Sequence, residues 1–231
     1  MSKIYDSITE LVGHTPLVEL KNYEKELGLK AHLLGKLEYF NPTGRVKDRV
    51  ALNMIIEAEK SGELKPGGAI LDFTSGNTGI ATAAFANAMG YKYAVVIQPG
   101  VSAERTAILK AYGVTLLQAD DVPGFREMLD NGGLSMKVLT KIMNEYAKEH
   151  GYFYINQGGN DNNPLAHYNT TGPEIWEDTE GKVDYVVQLV GTGGTLAGLS
   201  KFMKEKNPDV KIIGAQPAKA SRRTPQNPNP N

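Results

Sequence analysis

Apolar residues gather in short unbroken runs, and stretches of helical period separate the runs. The runs fall at 31–37 (AHLLGKL), 69–74 (AILDFT), 93–98 (YAVVIQ), 114–119 (VTLLQA), 152–156 (YFYIN), 185–190 (YVVQLV) and 211–216 (KIIGAQ). Most are continuous rather than alternating, which predicts parallel strands buried on both faces. Between them, apolar residues recur every three to four positions over 46–61, 77–89, 102–112, 136–149, 164–178 and 194–206. That period predicts helices. Strand and helix in alternation predict right-handed βαβ units and a layered α/β architecture. No internal repeat or heptad array is visible. Residues 218–231 (AKASRRTPQNPNPN) contain no large apolar side chain and read as a solvated tail. The tail follows a strand that a covering helix would ordinarily follow, so either the sheet ends there or the chain lacks its continuation.

Length and composition narrow the function classes. A chain of 231 residues suits one large α/β domain or two small ones. Twenty-five basic and 26 acidic residues give a net charge of −1, which argues against a nucleic-acid binder. The first ten residues, MSKIYDSITE, contain no apolar core, so no signal peptide is expected. No run approaches the ~18 apolar residues of a membrane helix. There is no cysteine, which removes disulfides, thiol nucleophiles and Cys metal sites and fits a cytoplasmic setting. No HExxH or paired-histidine cluster occurs, so no metal site is expected. Glycine is abundant, 25 of 231 residues, and its placement carries the chemistry.

Three turns combine glycine with polar side chains. In Asn41-Pro42-Thr43-Gly44-Arg45-Val46-Lys47 the helical period starts directly after the turn, so Lys47 falls in the first turn of a helix. A cation there opposes the helix dipole. A dry site would lower its pKa and make a nucleophilic amine; the alternative is a solvated lysine paired with a neighbouring acid. Thr74-Ser75-Gly76-Asn77-Thr78-Gly79 opens the next helix and offers hydroxyls, an amide and close backbone approach, as a carboxylate cradle or as an ordinary cap. Gly191-Thr192-Gly193-Gly194-Thr195 is a glycine nest at a helix start, suited to a phosphate or simply to a tight turn. Leu196 stands where a dinucleotide fingerprint needs glycine, and no Gly-Lys-Ser/Thr follows. An amine, a carboxylate cradle and a phosphate cup together suit pyridoxal phosphate and an amino-acid substrate.

The residues IYDSITELVGHTPLVEL (4–20), NPTGRVKDR (41–49), TSGNTG (74–79), Gln157 with NPLAHYNTTGPEIW (163–176), and GTGGT (191–195) resemble the cysteine synthase and cystathionine β-synthase family of fold-type-II pyridoxal-phosphate enzymes. The resemblance spans about 1–217. It implies a tryptophan-synthase-β-like fold of two three-layer α/β/α domains with mostly parallel sheets, C-terminally incomplete. Residues 41–150 would form the smaller, substrate-carboxylate domain, and 1–40 with 151–217 the larger, cofactor-phosphate domain. It implies that Lys47 carries the cofactor and moves the substrate Cα proton. Asn77 would bind the cofactor's phenolic oxygen, and Gly191, Thr192, Gly193, Gly194 and Thr195 its phosphate. Thr74, Ser75, Gly76, Thr78 and Gln157 would hold the substrate carboxylate. The implied reaction forms L-cysteine from O-acetyl-L-serine and sulfide through an α-aminoacrylate, in a cytoplasmic homodimer. β-Elimination from cysteine or serine, a cystathionine β-synthase-like activity and a non-catalytic remnant are the alternatives.

Four departures stand out. Arg45 occupies a position where the family usually has Ser, and Gly158 one where it has Phe or Tyr. Losing that ring should widen the pocket. The segment 119–135 is several residues longer than usual. The late Ser or Thr that faces the pyridine nitrogen in the family has no counterpart here. His14, His167 and Trp176 read as structural, and Asp48 and Arg49 as making local helix contacts or supporting the Lys47 loop.

Overall fold

A computed structural model describes residues 4–74, 76–97, 101–131 and 135–218. The chain opens with a short antiparallel pair, β1 (Leu17–Glu19) and β2 (Leu34–Lys36), with α1 (Lys21–Glu26) between them. The run 31–37 was expected as a buried parallel strand. Only three of its residues are extended, they run antiparallel to β1, and Leu34 is exposed. A three-residue partner on an open face cannot bury both sides of a strand.

The centre is a four-stranded parallel sheet in the order β5-β4-β3-β6, formed by β3 (Ala69–Asp72), β4 (Lys92–Ile97), β5 (Thr115–Gln118) and β6 (Tyr152–Tyr154). Its last strand therefore comes from beyond residue 150. Helices α2 (Lys47–Ser61), α3 (Asn77–Ala88), α4 (Ala103–Ala111), α5 (Phe125–Asp130) and α6 (Met136–His150) surround it. The alternation of side chains along each strand builds the layers. Ile70, Tyr93, Val95 and Ile97 pack with Val50, Met54, Phe85 and Leu109 of α2, α3 and α4. Leu71, Ala94 and Val96 point the other way, onto Phe125 of α5 and Leu139 and Met143 of α6. Both faces are covered, as the continuous apolar runs require.

Local chemistry sets the helix limits. Helix α6 buries Leu139, Met143 and Ala147, one residue per turn on one stripe. It stops at Gly151, whose φ of 71° is left-handed. Helix α5 and a short turn of 3-10 helix at 119–121 lie in the segment 119–135 that is longer than usual in the family. The predicted helix 164–178 is real but interrupted. Helix α7 (Asn162–Ala166) passes into a π-helical turn, His167–Thr171, and then α8 (Gly172–Asp178).

The third sheet is a parallel pair, β7 (Tyr185–Leu189) and β8 (Lys211–Ala215), linked by α9 (Gly194–Lys206). Val186, Leu199, Phe202, Met203 and Val210 form its core. The other face is open. Val187 is 64% exposed and Leu189 75%, so these runs are apolar without being buried on both sides. The tail beyond 218 lies outside the described residues.

Candidate active site

The Lys47 loop is built by its own hydrogen bonds. Gly44 N–H closes the turn on the Asn41 carbonyl at 2.7 Å, with Gly44 at a φ of 75°. Asp48, fully buried, accepts from the Thr43 N–H at 2.6 Å and from the Thr43 hydroxyl. Burial nevertheless raises the Asp48 pKa. Lys47 is the first residue of α2, where no side chain caps the helix. Burial lowers its amine pKa, the direction expected for a cation held in a drier setting at a positive helix end.

The next residue, Arg49, is buried and clamped. Its guanidinium meets Glu174 at 2.6 and 2.7 Å and Glu38 at 2.8 and 2.9 Å, and donates to Thr15 and Thr170. Lys36 joins Glu174 at 2.9 Å. The bidentate pair holds the start of α2 against α8. It keeps the Glu174 pKa down at about 2, against the burial that would raise it. Arg49 therefore reaches far beyond its own helix.

The second turn starts α3. Gly76 precedes the helix, and no side chain caps it among the described residues. Asn77 is the first helical residue and is exposed. Thr74 Oγ1 accepts from Gly76 N–H at 3.3 Å. A Cβ on Gly79 would lie 2.8 Å from the Thr74 carbonyl, so only glycine lets α3 sit this close to the turn. Buried Thr78 donates to Gln157 Oε1 at 2.7 Å, which joins two residues 79 positions apart. Ser75 lies outside the described residues.

The third turn starts α9. Gly193 has a φ of 90°, and the helix begins at Gly194 without a side-chain cap. A Cβ added to Gly191 or Gly193 would meet no atom within 4 Å. A cavity of about 280 Å³ lies there, lined by Gln157 to Asp161, Asn163, Pro164, Thr192 to Gly194 and Ala197. It brings Gln157 together with the glycine turn. Lys47, Thr74, Gly76, Asn77 and Thr78 do not line it. A second cavity, about 220 Å³, sits at the amino-terminal ends of β4 and β5 and contains none of the expected residues.

Two side chains link the parts. Thr195 Oγ1 lies 3.0 Å from His167 Nε2, and His167 Nδ1 lies 2.9 Å from Thr171 Oγ1. Burial, followed by the Arg49 charge, pushes the His167 pKa down to about 4, and the Lys47 charge adds to it. The neutral ring therefore supports the glycine turn and feels the amine of Lys47. Asn163 is the residue that sequence reasoning missed. It is 2% exposed, and its Nδ2 donates to the Gln157 carbonyl at 2.8 Å and to Thr192 Oγ1 at 3.1 Å. Its Oδ1 is buried with no hydrogen-bond partner among the described residues. The only hint was the Asn-Pro that opens its segment.

Away from these turns, Glu19, Glu24 and His32 bring their ligand atoms within 4.8 Å of one another. Lys21 pairs with Glu19 at 3.2 Å, and Leu33 N–H takes Glu24 at 2.5 Å, so both carboxylates are already engaged.

A family model described as pyridoxal-phosphate dependent enzyme matches residues 8–227. Cysteine synthase B of Escherichia coli (strain K12) is 40% identical over 215 residues, which are 93% of this chain and 67% of that protein. Cystathionine beta-synthase of Rattus norvegicus is also 40% identical, over 93% of this chain but only 37% of its own length. The crystal structure of a cysteine synthase from Entamoeba histolytica superposes with a TM-score of 0.81 at 41% identity, over 95% of this chain and 63% of that one. An O-ureido-L-serine synthase superposes at 0.80 with 36% identity, over 94% and 65%. The chain thus spans about two thirds of the cysteine synthases it matches and little more than a third of the cystathionine synthase. The fold class is the expected one, α/β with parallel sheets as in the fold-type-II enzymes. Match and superposition agree on one identity: the chain belongs to the pyridoxal-phosphate-dependent enzymes.

Proposed function

We propose that this chain forms the catalytic face of a β-replacement enzyme that makes L-cysteine from O-acetyl-L-serine and sulfide. One observation carries the reading. An amine of lowered pKa, a hydroxyl-and-amide turn and an open glycine cup all sit at helix starts fed by the loops between strands and helices. The cup fits pyridoxal 5′-phosphate. Open space faces Gly191 and Gly193, and the uncapped start of α9 supplies N–H donors for a phosphate.

In this reading Gly191, Thr192, Gly193, Gly194 and Thr195 hold the phosphate, Asn77 the phenolic oxygen, and Lys47 the aldehyde carbon. Thr74, Ser75, Gly76, Thr78 and Gln157 hold the substrate carboxylate. The bound cofactor supplies an electron sink for negative charge at the substrate Cα. Lys47 Nζ, free once the substrate amine has replaced it at the aldehyde carbon, takes the Cα proton, and a lowered pKa keeps more of it neutral and able to do so. The Cβ–O bond breaks and its electron pair leaves with acetate. Sulfide then forms the Cβ–S bond, and Lys47 returns the proton to Cα. His167, neutral, keeps Thr195 in place beneath the phosphate. The two domains named above, a homodimer and a cytoplasmic setting belong to the same reading.

A second reading has its own observation. Gly158 and Gly159 line the cavity, and a Cβ on Gly158 would meet only Met136, at 3.9 Å. That opening suits a thiol larger than sulfide, or elimination of sulfide from cysteine. Assays with O-acetylserine plus sulfide, O-acetylserine plus a bulky thiol, and cysteine alone separate these outcomes.

Lys47→Ala tests the shared foundation. The loaded chain is expected to show a visible absorption band that the variant lacks, and borohydride should fix the cofactor on the peptide containing Lys47. Cofactor fixed on another lysine overturns the assignment. A colourless, inactive wild-type chain overturns the enzyme reading in favour of a non-catalytic remnant.

A further inference from the structure

Arg45 is the departure that the reaction above leaves unused. Its Nε donates to Asn77 Oδ1 at 3.1 Å, across 32 residues of sequence. Its Nη1 donates to the Thr43 carbonyl. Thr43 is itself fixed by buried Asp48 in the first turn of α2. The guanidinium is thus anchored to the loop that carries Lys47 and reaches over to the first residue of α3.

We propose that Arg45 is a positioning residue that acts through Asn77 and aims its amide at the cofactor's ring oxygen. The inference rests on the reading of Asn77 as the ligand of that oxygen. A carboxamide has one acceptor end and one donor end. Arg45 offers only donors, so it accepts one of the two amide flips: Oδ1 toward the guanidinium and Nδ2 away from it. The reverse flip would set N–H against N–H. The captured amide therefore presents its donor end, which an anionic ring oxygen requires. The positive charge also draws electron density toward Oδ1 and strengthens the Nδ2 donors. A serine at 45, with one short hydroxyl, cannot span from the Thr43 carbonyl to Asn77. Arg45 also ties the two loops together, so the separation of Lys47 from Asn77 is set by a side chain as well as by the backbone.

The test is titration of pyridoxal phosphate into the full-length chain freed of cofactor, followed by visible absorption. Four variants are compared: Arg45→Ser, Arg45→Lys, Asn77→Ala and the Ser/Ala double. Arg45→Ser is expected to weaken cofactor binding about tenfold, with the melting temperature of the cofactor-free chain unchanged. In the Asn77→Ala background it should cost no more than twofold, because the two residues act as a unit. Arg45→Lys keeps the charge but not the planar fork and should recover only part of the affinity. If Asn77→Ala weakens binding and Arg45→Ser does not, the proposal fails and the Asn77 assignment stands. Losses that multiply in the double variant also overturn it, since Arg45 would then act independently. If Asn77→Ala binds like wild type, the assignment of Asn77 falls and takes the proposal with it. Should Arg45→Ser fail to fold, Arg45→Lys carries the test, and wild-type affinity there overturns the proposal.

Discussion

Asp72 and His167 are buried titratable groups whose effects on stability oppose each other. The Asp72 carboxyl closes β3 and accepts from Phe73 N–H at 2.7 Å and from the Tyr93 hydroxyl at 3.2 Å. Burial pushes its pKa up to about 7, from an ordinary 3.8. Between those values the folded chain holds a proton that the unfolded chain releases, so stability falls as pH rises. His167 is pushed down to about 4 from 6.5. Between those values only the unfolded chain is protonated, so stability falls as pH drops. Each slope reaches about 1.4 kcal/mol per pH unit, and over the shared range the two nearly cancel. Asp72→Asn removes one of them. Its urea-unfolding free energy should drop more steeply than wild type from pH 6.5 to 4.5, and exceed wild type at pH 8. Parallel curves would refute the account. The placement of Lys47 and of the 191–195 turn at helix starts was legible, because a glycine turn there opens a helical period. Asn163 was not, because its contacts lie 6 and 29 residues away and have no spacing signature.

Helix α9 meets Asn163 at closer range than any side chain would allow. A Cβ on Gly194 would lie 2.0 Å from Asn163 Oδ1. Gly194→Ala must push the helix start away from Asn163, at a cost of about 1–3 kcal/mol, and should weaken phosphate binding in the cup. Calorimetry of the variant checks the first effect, and cofactor titration the second. In α6, Leu139→Ala should cost about 2–5 kcal/mol, since that side chain is fully buried. Central strands and long helices could be read because burial on two faces, or on one stripe, leaves a period in the chain. Strand β1, its antiparallel pairing with β2, and α5 escaped because three to six residues carry too little period. The β7 and β8 runs misled in a different way. Apolar composition reports what favours cover, not whether cover is present, and Leu189 stands 75% exposed.

Over the whole molecule, the buried clamp around Arg49 ties Thr15, Lys36 and Glu38 to α2 and α8. Its members, Lys36, Glu38, Arg49 and Glu174, are too far apart in sequence for any local signal to join them. The sequence offered for Arg49 only local helix contacts or support of the lysine loop. Arg49→Met leaves Glu38 without its cation and Glu174 with Lys36 alone, and should cost about 3–5 kcal/mol in urea unfolding. Arg49→Lys should also lose stability, since an ammonium cannot make the bidentate contact. Both Glu38 and Glu174 have depressed pKa values, so their contribution is complete at neutral pH and fades below about 4.5.

The clamp depends on where around its axis the 162–178 segment presents Glu174. The wide turn at His167–Thr171 accommodates one residue more than a regular coil would. Excising Asn169 would let that coil close normally. Everything downstream would then keep its place around the axis and Glu174 would still face Arg49, whereas a deletion from a regular turn of the same segment would swing Glu174 away by about 100°. Within 162–178, tolerance of a single-codon deletion should therefore be greatest at this point.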